Sequence, residues 1–320
     1  MPPSSSSVLT IAIGPAYYKR LAINLAASIR LWHSAEELSI YIVTDSIIEA
    51  NPLLHINFIH IEKGTLGSGF QPKLFLDKLV QTEHTLFIDA DCLVYSRLES
   101  IFKATSSFPV GVIGFPVSQG EWFGDIAHYC NHLGVTHIPK FNGGIYSILK
   151  SQCSAIYEKA RLIEHSYDEW GLVRLRNCPN DELLLAGALA SFDVGCVPDD
   201  GNILGDFQAC PGPFVLDIYK GKRMLTNPPE ANPNHCSWYP VTHISPIIVH
   251  FLSTHSNSYY YRAEALKVRF SSSIFPRPLI TLYSILFIFF PGVIKLKAKN
   301  FFRPFYRALF GVRAIKSQRT

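Results

Sequence analysis

The chain has few charges and no paired cysteines. Asp, Glu, Lys and Arg make up 17% of 320 residues, against 48% hydrophobic. That balance argues against a disordered segment and hints at membrane contact. The seven cysteines (92, 130, 153, 178, 196, 210 and 236) are odd in number and contain no C-x-x-C pair. They read as reduced thiols of a cytosolic protein, not as a disulfide framework or a zinc site. The opening Met-Pro-Pro-Ser-Ser-Ser-Ser lacks the basic segment and apolar core of a secretory signal. Gly64, Gly67 and Gly69 mark a loop, but their spacing is not that of a phosphate-binding fingerprint. Acidic residues stop at Glu264. From Lys295 onward come Lys295, Lys297, Lys299, Arg303, Arg307, Arg313, Lys316 and Arg319. Against a formal total of +4, those eight cations leave residues 1–294 at −4. A mildly acidic body carries a basic tail.

What is present is an alternation of short apolar runs and amphipathic stretches. Val8–Ile13 is β-branched and apolar, and Gly14-Pro15 ends it. Leu21, Leu25, Ser28 and Ile29 recur at helical spacing to about Trp32. Leu38–Asp45 and His55–Ile61 read as further strands, and Lys73–Val80 as a helix. Thr85–Val94, Val110–Phe115 and Ile247–Leu252 read as strands, Cys153–Tyr167 as a helix, and Phe141–Leu149 as a glycine pair running into a strand. The segment from Gln119 to Lys140 shows little periodicity, and its histidines carry no assignment. Pro179-Asn180-Asp181-Glu182 precedes an apolar helix, where Asn and Asp suit the N-cap and acids suit the first turn. Residues 196–240, rich in Pro, Gly and Asn and holding Asp199, Asp200 and Asp206, read as an irregular excursion over a site. The whole describes an α/β layer with a mostly parallel sheet, whose ligands bind beyond the carboxyl ends of the strands.

Asp45, Asp89 and Asp91 would all stand on that edge. Asp89 and Asp91 are one residue apart in an apolar run, so on a strand they project to the same side. Two such carboxylates repel unless a cation sits between them. A hard divalent ion, Mg2+ or Mn2+, meets that need. A strand end whose aspartates cap the next loop would read the same way.

Taken in order, these motifs resemble the nucleotide-sugar glycosyltransferases of the GT-A fold, nearest to glycosyltransferase family 8, the glycogenin and galactosyltransferase-like group. The family's Ala-Tyr-x-x-x-Ala segment is matched by the stretch from Ala12 through Tyr17 and Tyr18 to Ala22. Its Lys-Leu helix and Asp-x-Asp strand are matched by Lys73-Leu74 and Asp89-Ala90-Asp91. Phe141-Asn142-Gly143-Gly144-Ile145 resembles its Phe-Asn-Ser-Gly-Val, Asp181-Glu182 its Asp-Gln, and His250-Phe251 its closing His-Phe. The resemblance spans roughly residues 8 to 255. It implies a nucleotide-diphosphate-sugar donor, UDP-sugar foremost, with Mn2+ or Mg2+ held by Asp89, Asp91 and His250. It places Tyr18 on the base, Lys73 near the donor, Asn142 and Gly144 on the sugar and acceptor side, and Asp181 and Glu182 beside the anomeric carbon. Two departures stand out. Glu182 replaces the usual Gln and is open to a role as base for the acceptor hydroxyl. Ser253 and Ser256 replace the Gly and Lys after the histidine, leaving Arg262 or Lys267 as substitutes for a phosphate-binding lysine.

The tail divides the chain into a GT-A body, 1–268, and a membrane-associating part, 269–320. Leu279–Phe290 is uninterrupted apolar sequence, shorter than the roughly 20 residues of a spanning helix. Prolines bracket it and cations with interfacial aromatics follow, which suits a monotopic element on anionic lipid better than a span. A buried core helix is the plain alternative, and nucleic acid is disfavoured as a partner. The expectation is a peripheral or monotopic glycosyltransferase on the cytoplasmic face of a membrane, acting on a glycan or lipid-linked acceptor. Two competitors are a haloacid-dehalogenase-type phosphatase, which also uses Asp-x-Asp after an apolar strand, and a catalytically silent membrane-bound scaffold.

Overall fold

A computed structural model describes residues 6–311; the start of the serine-proline stretch and Arg313, Lys316 and Arg319 lie outside the described residues. The strands in chain order are β1 (Ser6–Ala12), β2 (Ser39–Thr44), β3 (Ile56–His60), β4 (His84–Ile88), β5 (Cys92–Val94), β6 (Val110–Gly111), β7 (Ile113–Val117), β8 (Ile138–Phe141), β9 (Ile145–Leu149), β10 (Val197–Pro198), β11 (Leu204–Asp206), β12 (Phe214–Asp217), β13 (Lys222–Thr226), β14 (His243–Ile244) and β15 (Ile248–His250). The helices are α1 (Ala16–Arg30), α2 (Leu76–Leu79), α3 (Glu99–Thr105), α4 (Ile126–Leu133), α5 (Ser154–His165), α6 (Asp181–Ser191), α7 (Tyr259–Arg269), α8 (Arg277–Ser284) and α9 (Phe290–Phe310).

The main sheet has six strands in the order β3-β2-β1-β4-β9-β6. The first four run parallel, and β9 runs antiparallel to both β4 and β6. Val8, Leu9, Ile40, Ile42, Leu86 and Ile88 are fully buried or nearly so. At about 1.5–3 kcal/mol for each large apolar side chain removed from water, this layer anchors the fold. A small sheet in the order β11-β15-β5 lies at the end of β4, and it positions the site.

Several expectations change. Thr85–Val94 is not one strand. Asp89 N–H donates to Gly144 O and Cys92 N–H to Asp89 O, each at 3.0 Å, so a turn interrupts the ladder. Beyond it β5 leaves the main sheet and pairs with β15. Val110–Phe115 likewise splits between two sheets, β6 with β9 and β7 with β8. Lys73–Val80 is a 3-10 turn, Gln71–Phe75, followed by the four-residue α2. The Arg161 guanidinium draws off Leu74 O and grips the buried Asp77 carboxylate, so the segment is held by a partner helix and not by its own ladder. The excursion 196–240 contains four strands, including the antiparallel pair β12–β13. α4 and α7 appear where no helix was expected.

Arg277–Phe310 forms a continuous helix of 34 residues, long and apolar enough to cross a membrane by length and composition alone. Pro276 and Pro278 start it, as expected, but Pro291 does not end it. A π turn, Ile285–Phe289, stands just before Pro291, and its i to i+5 register shift accommodates a residue with no N–H to give. Only 11% of the most apolar window is buried, so the helix is not a core helix. It meets the body where Gly292 lies against Tyr259; a Cβ there would collide with the Tyr259 side chain.

Candidate functional site

Three chain segments converge at the end of β4. The turn after β4 carries Asp89 and Asp91, and β15 brings His250 opposite Cys92 in antiparallel register. His250 Nε2 lies 3.1 Å from Asp91 Oδ1 and 3.9 Å from Asp89 Oδ2. The ring is 2% exposed, and Nε2 makes no well-aligned hydrogen bond. Its other nitrogen, Nδ1, is 2.9 Å from Asn142 Oδ1. Burial opposes the imidazolium, but Asp91 and Asp89 outweigh it and hold the pKa near 9. Burial pushes Asp91 up while His250 more than compensates, leaving it below the ordinary carboxylate range. At Asp89 burial prevails over the Lys73 ammonium, and the carboxyl sits above that range. The corner thus draws a positive charge to itself.

A divalent cation fits that corner. Two carboxylates face a buried imidazole nitrogen that lacks an aligned partner; their oxygens suit Mn2+ or Mg2+, and the added nitrogen suits Mn2+ better than Mg2+. The Asn142 contact on Nδ1 is the supporting bond that metal-ligating histidines ordinarily make. Asp91, Cys92 and His250 also bring ligand atoms within 4.8 Å of one another. The Cys92 thiol, however, is buried and pushed well up by that burial and by Asp91 and Asp89. It stays protonated and contacts Gly144 O, so it is a neighbour and not a ligand for a hard ion.

The second corner supplies its own cation. Lys73 Nζ donates to Asp89 Oδ2 and Gly143 O, both at 2.9 Å, and lies 3.3 Å from Asp181 Oδ2. Its ammonium sits over the rings of Phe87 and Tyr146 at 5.5 and 5.6 Å. Burial works against this charge, yet Asp181 and Asp89 raise its pKa above the ordinary lysine value. Asp181 opens α6 behind the Asn180 cap, whose side chain accepts from Leu183 N–H. Capping accounts for Asn180 but not for Asp181, which accepts from Tyr146 Oη at 2.7 Å. Glu182 accepts from Gly143 N–H at 2.6 Å, and burial followed by the Asp181 charge raises its pKa to about 8. The shift favours the neutral carboxyl, whose one O–H donor and one carbonyl acceptor are the same kind of complement as a Gln side chain.

The glycine pair is required by close approach. A Cβ on Gly144 would lie 2.7 Å from His250 Nδ1, and one on Gly143 2.7 Å from Tyr146 Oη. Asn142, Gly143 and Gly144 thus tie the two corners together. Tyr18 stands 43% exposed in the first turn of α1, edge-on to Tyr17 and outside this cluster. Asp45 is spent on the β1–α1 loop, accepting from Gly14 N–H and pairing with Lys19. Lys267 is buried between Glu264 and Asp217 and cannot serve as the missing phosphate lysine, whereas Arg262 is exposed.

Sequence reasoning passed over Tyr146, Cys92 and the place of Asp206. Asp206 closes a short apolar run, Ile203-Leu204-Gly205, the same kind of signal that marks Asp45 and Asp89. Beyond Asp206 and His250 lies a cleft of about 360 Å³ lined by Phe207, Cys210, Phe214, His255 and Tyr260, among others. Phe207 stacks on Tyr260 at 4.7 Å and, behind the cleft, on the buried Phe251 at 5.2 Å.

No protein-family model and no curated protein sequence matches the chain. Among solved structures, the galactosyltransferase LgtC, in complex with donor and acceptor sugar analogs, aligns at a TM-score of 0.53 and 16% identity over 84% of this chain and 97% of its own. The apo form of the glycosyltransferase GlyE of Streptococcus pneumoniae aligns at 0.44 and 16% identity, covering 87% of this chain and 62% of its own. Mouse xyloside xylosyltransferase 1 aligns at 0.44 and 11%, covering 63% of this chain and 87% of its own. The fold assignment rests on the first of these alone. The chain has the GT-A-type α/β fold of that galactosyltransferase, and a long apolar helix forms the last part of its described residues.

Proposed function

We propose that the chain is a metal-dependent glycosyltransferase, moving a sugar from a nucleotide-diphosphate sugar to a glycan or lipid-linked acceptor at the cytoplasmic face of a membrane. The observation that carries this reading is the meeting of Asp89, Asp91 and the buried His250 Nε2 at the strand edge of a GT-A fold. Mn2+ or Mg2+ held there by Asp89, Asp91 and His250 would act as a Lewis acid toward the charge that develops on a leaving diphosphate. The chain's own residues do the rest. Lys73 places a desolvated cation beside the donor, and Tyr18 offers an exposed ring for the base, with UDP the expected nucleotide. Asn142 and Gly144 line the sugar side. Asp181, held by Lys73 and Tyr146, would face the anomeric centre. Protonated Glu182 acts there as a hydrogen-bonding neighbour, in the manner of the Gln it replaces, more readily than as a base.

The cleft past Asp206 offers the partly exposed rings of Phe214, His255 and Tyr260 to an acceptor sugar. Residues 1–268 would form the catalytic body and 269–320 the membrane-associating part. The tail's exposed Leu279, Phe287, Phe290, Phe301, Phe302 and Phe305, among Lys295, Lys297, Lys299, Arg303 and Arg307, support contact with anionic lipid. The test is a thermal-shift screen of nucleotide sugars with and without Mn2+. Stabilisation that needs both components supports the reading. No response across the panel would favour the silent scaffold, and a phosphoaspartyl adduct trapped on Asp89 would favour the phosphatase.

A further inference from the structure

Asn142 sits between two buried groups that together fix which way its amide faces. On one side, Asn142 Nδ2 donates to Asp206 Oδ2 at 3.0 Å. On the other, Asn142 Oδ1 accepts from Gly144 N–H at 2.9 Å and lies 2.9 Å from His250 Nδ1. Gly144 N–H can only donate, so Oδ1 must be the atom on that side, and His250 Nδ1 must carry its proton toward it. Asp206 cannot turn to offer anything else. Its Oδ1 accepts from the backbone N–H groups of Gln208 and Ala209. Asp206 and His250 are 5% and 2% exposed, so water does not offset a lost partner. Strands β11 and β15 place the two in direct parallel register, Asp206 beside His250.

We propose that Asp206 is a positioning residue of the cation corner: through the Asn142 amide it holds the His250 proton on Nδ1 and so leaves Nε2 to face Asp89 and Asp91. This rests on the cation reading of that corner. Asp206→Asn keeps the side-chain oxygen on the Gln208 and Ala209 amides and sets an NH2 group against the NH2 of Asn142. Relief requires the Asn142 amide to turn over, which sets an NH2 against Gly144 N–H and against His250 Nδ1. The ring would then carry its proton on Nε2, where a cation should bind. Asn142→Asp alone sets two carboxylates face to face. Both changes together restore every bond. The carboxylate now at position 142 would accept from the amide NH2 at position 206, from Gly144 N–H and from His250 Nδ1–H.

The experiment is a Mn2+ titration of the full chain followed by the electron paramagnetic resonance of free Mn2+, on the wild type, D206N, N142D and the double variant. Each single change is expected to weaken binding about 10- to 100-fold, the range for partners of metal-ligating histidines. The double variant is expected to return to within a few-fold of the wild type. Charge near the cation alone would make N142D bind more tightly; that result, or a double variant as weak as the two losses combined, overturns the proposal. Should the wild type itself bind no Mn2+, the cation reading fails. The relay is then judged on melting of the metal-free proteins: recovery in the double variant supports it, and additive losses reject it.

Discussion

The two corners of the site solve the same electrostatic problem in opposite ways. Around Lys73, the carboxylates of Asp89 and Asp181 share a cation that the chain provides, seated on Phe87 and Tyr146. Around His250, Asp91 and Asp89 find their positive charge only by protonating an imidazole against its burial. The first corner is complete without a ligand; the second, on the proposed reading, exchanges its imidazolium proton for an ion. A built-in lysine gives a fixed field, and a corner short of positive charge gives a place for an exchangeable ion. Asp89 belongs to both, so an ion in one corner is felt in the other.

The largest effect that separates them should come from Asp91→Asn. Transfer is expected to fall by about 10²–10³-fold, the scale of losing one transition-state charge stabiliser. Mn2+-dependent nucleotide binding should vanish while circular dichroism and melting stay close to wild type. Lys73→Met should behave the other way round. It leaves the buried Asp181 and the half-buried Asp89 without their cation, and removing one partner of a buried pair costs about 3–5 kcal/mol. A lowered melting temperature in the absence of any ligand would show it. If Lys73→Met melts like the wild type and Asp91→Asn does not fold, the contrast between the corners is reversed.

Glu182→Gln is a finer test. The folded state holds this carboxyl near 8, against an ordinary value of 4.5, with burial as the main cause. Its neutral form is thus the favoured one. The associated stability is fully present below pH 4.5 and is lost as pH rises through 8. Gln has no proton to lose, so the variant should show a flatter decline of melting temperature across that window and near-normal transfer at neutral pH. A variant inactive at neutral pH would restore the base role to Glu182. The smallest effect on either corner is expected from deleting residues 270–320: nucleotide binding should be unchanged, while co-sedimentation with anionic vesicles is lost. A truncated protein that still sediments would remove the tail from the membrane reading.

How far the site could be read in advance follows from where each residue sits. Asp89, Asp91 and His250 end apolar runs, and the order of the motifs around them was visible. The break at Asp89 was not, because β5 leaves the main sheet through pairing with β15, a partner far along the chain. Asn142 and the glycines read as a turn. Their tight fit against His250 and Tyr146 depends on side chains from neighbouring strands. Asp206 lay in a stretch whose Pro, Gly and Asn content masked the three-residue β11. α7 went unseen because its buried face includes Glu264 and Lys267, whose mutual pairing hides a core position behind charge. The tail's apolar run was plain, but its continuity through Pro291 depended on a π turn that no local rule signals.

The most direct measurement is calorimetric titration of the full chain with UDP-sugars, in Mn2+ and in chelator, for the wild type and for Asp91→Asn. The expected result is binding by the wild type in Mn2+ only, and none by Asp91→Asn in either condition. Equal binding in chelator, or undiminished binding by Asp91→Asn, would show that the corner formed by Asp89, Asp91 and His250 does not hold the ion that holds the nucleotide.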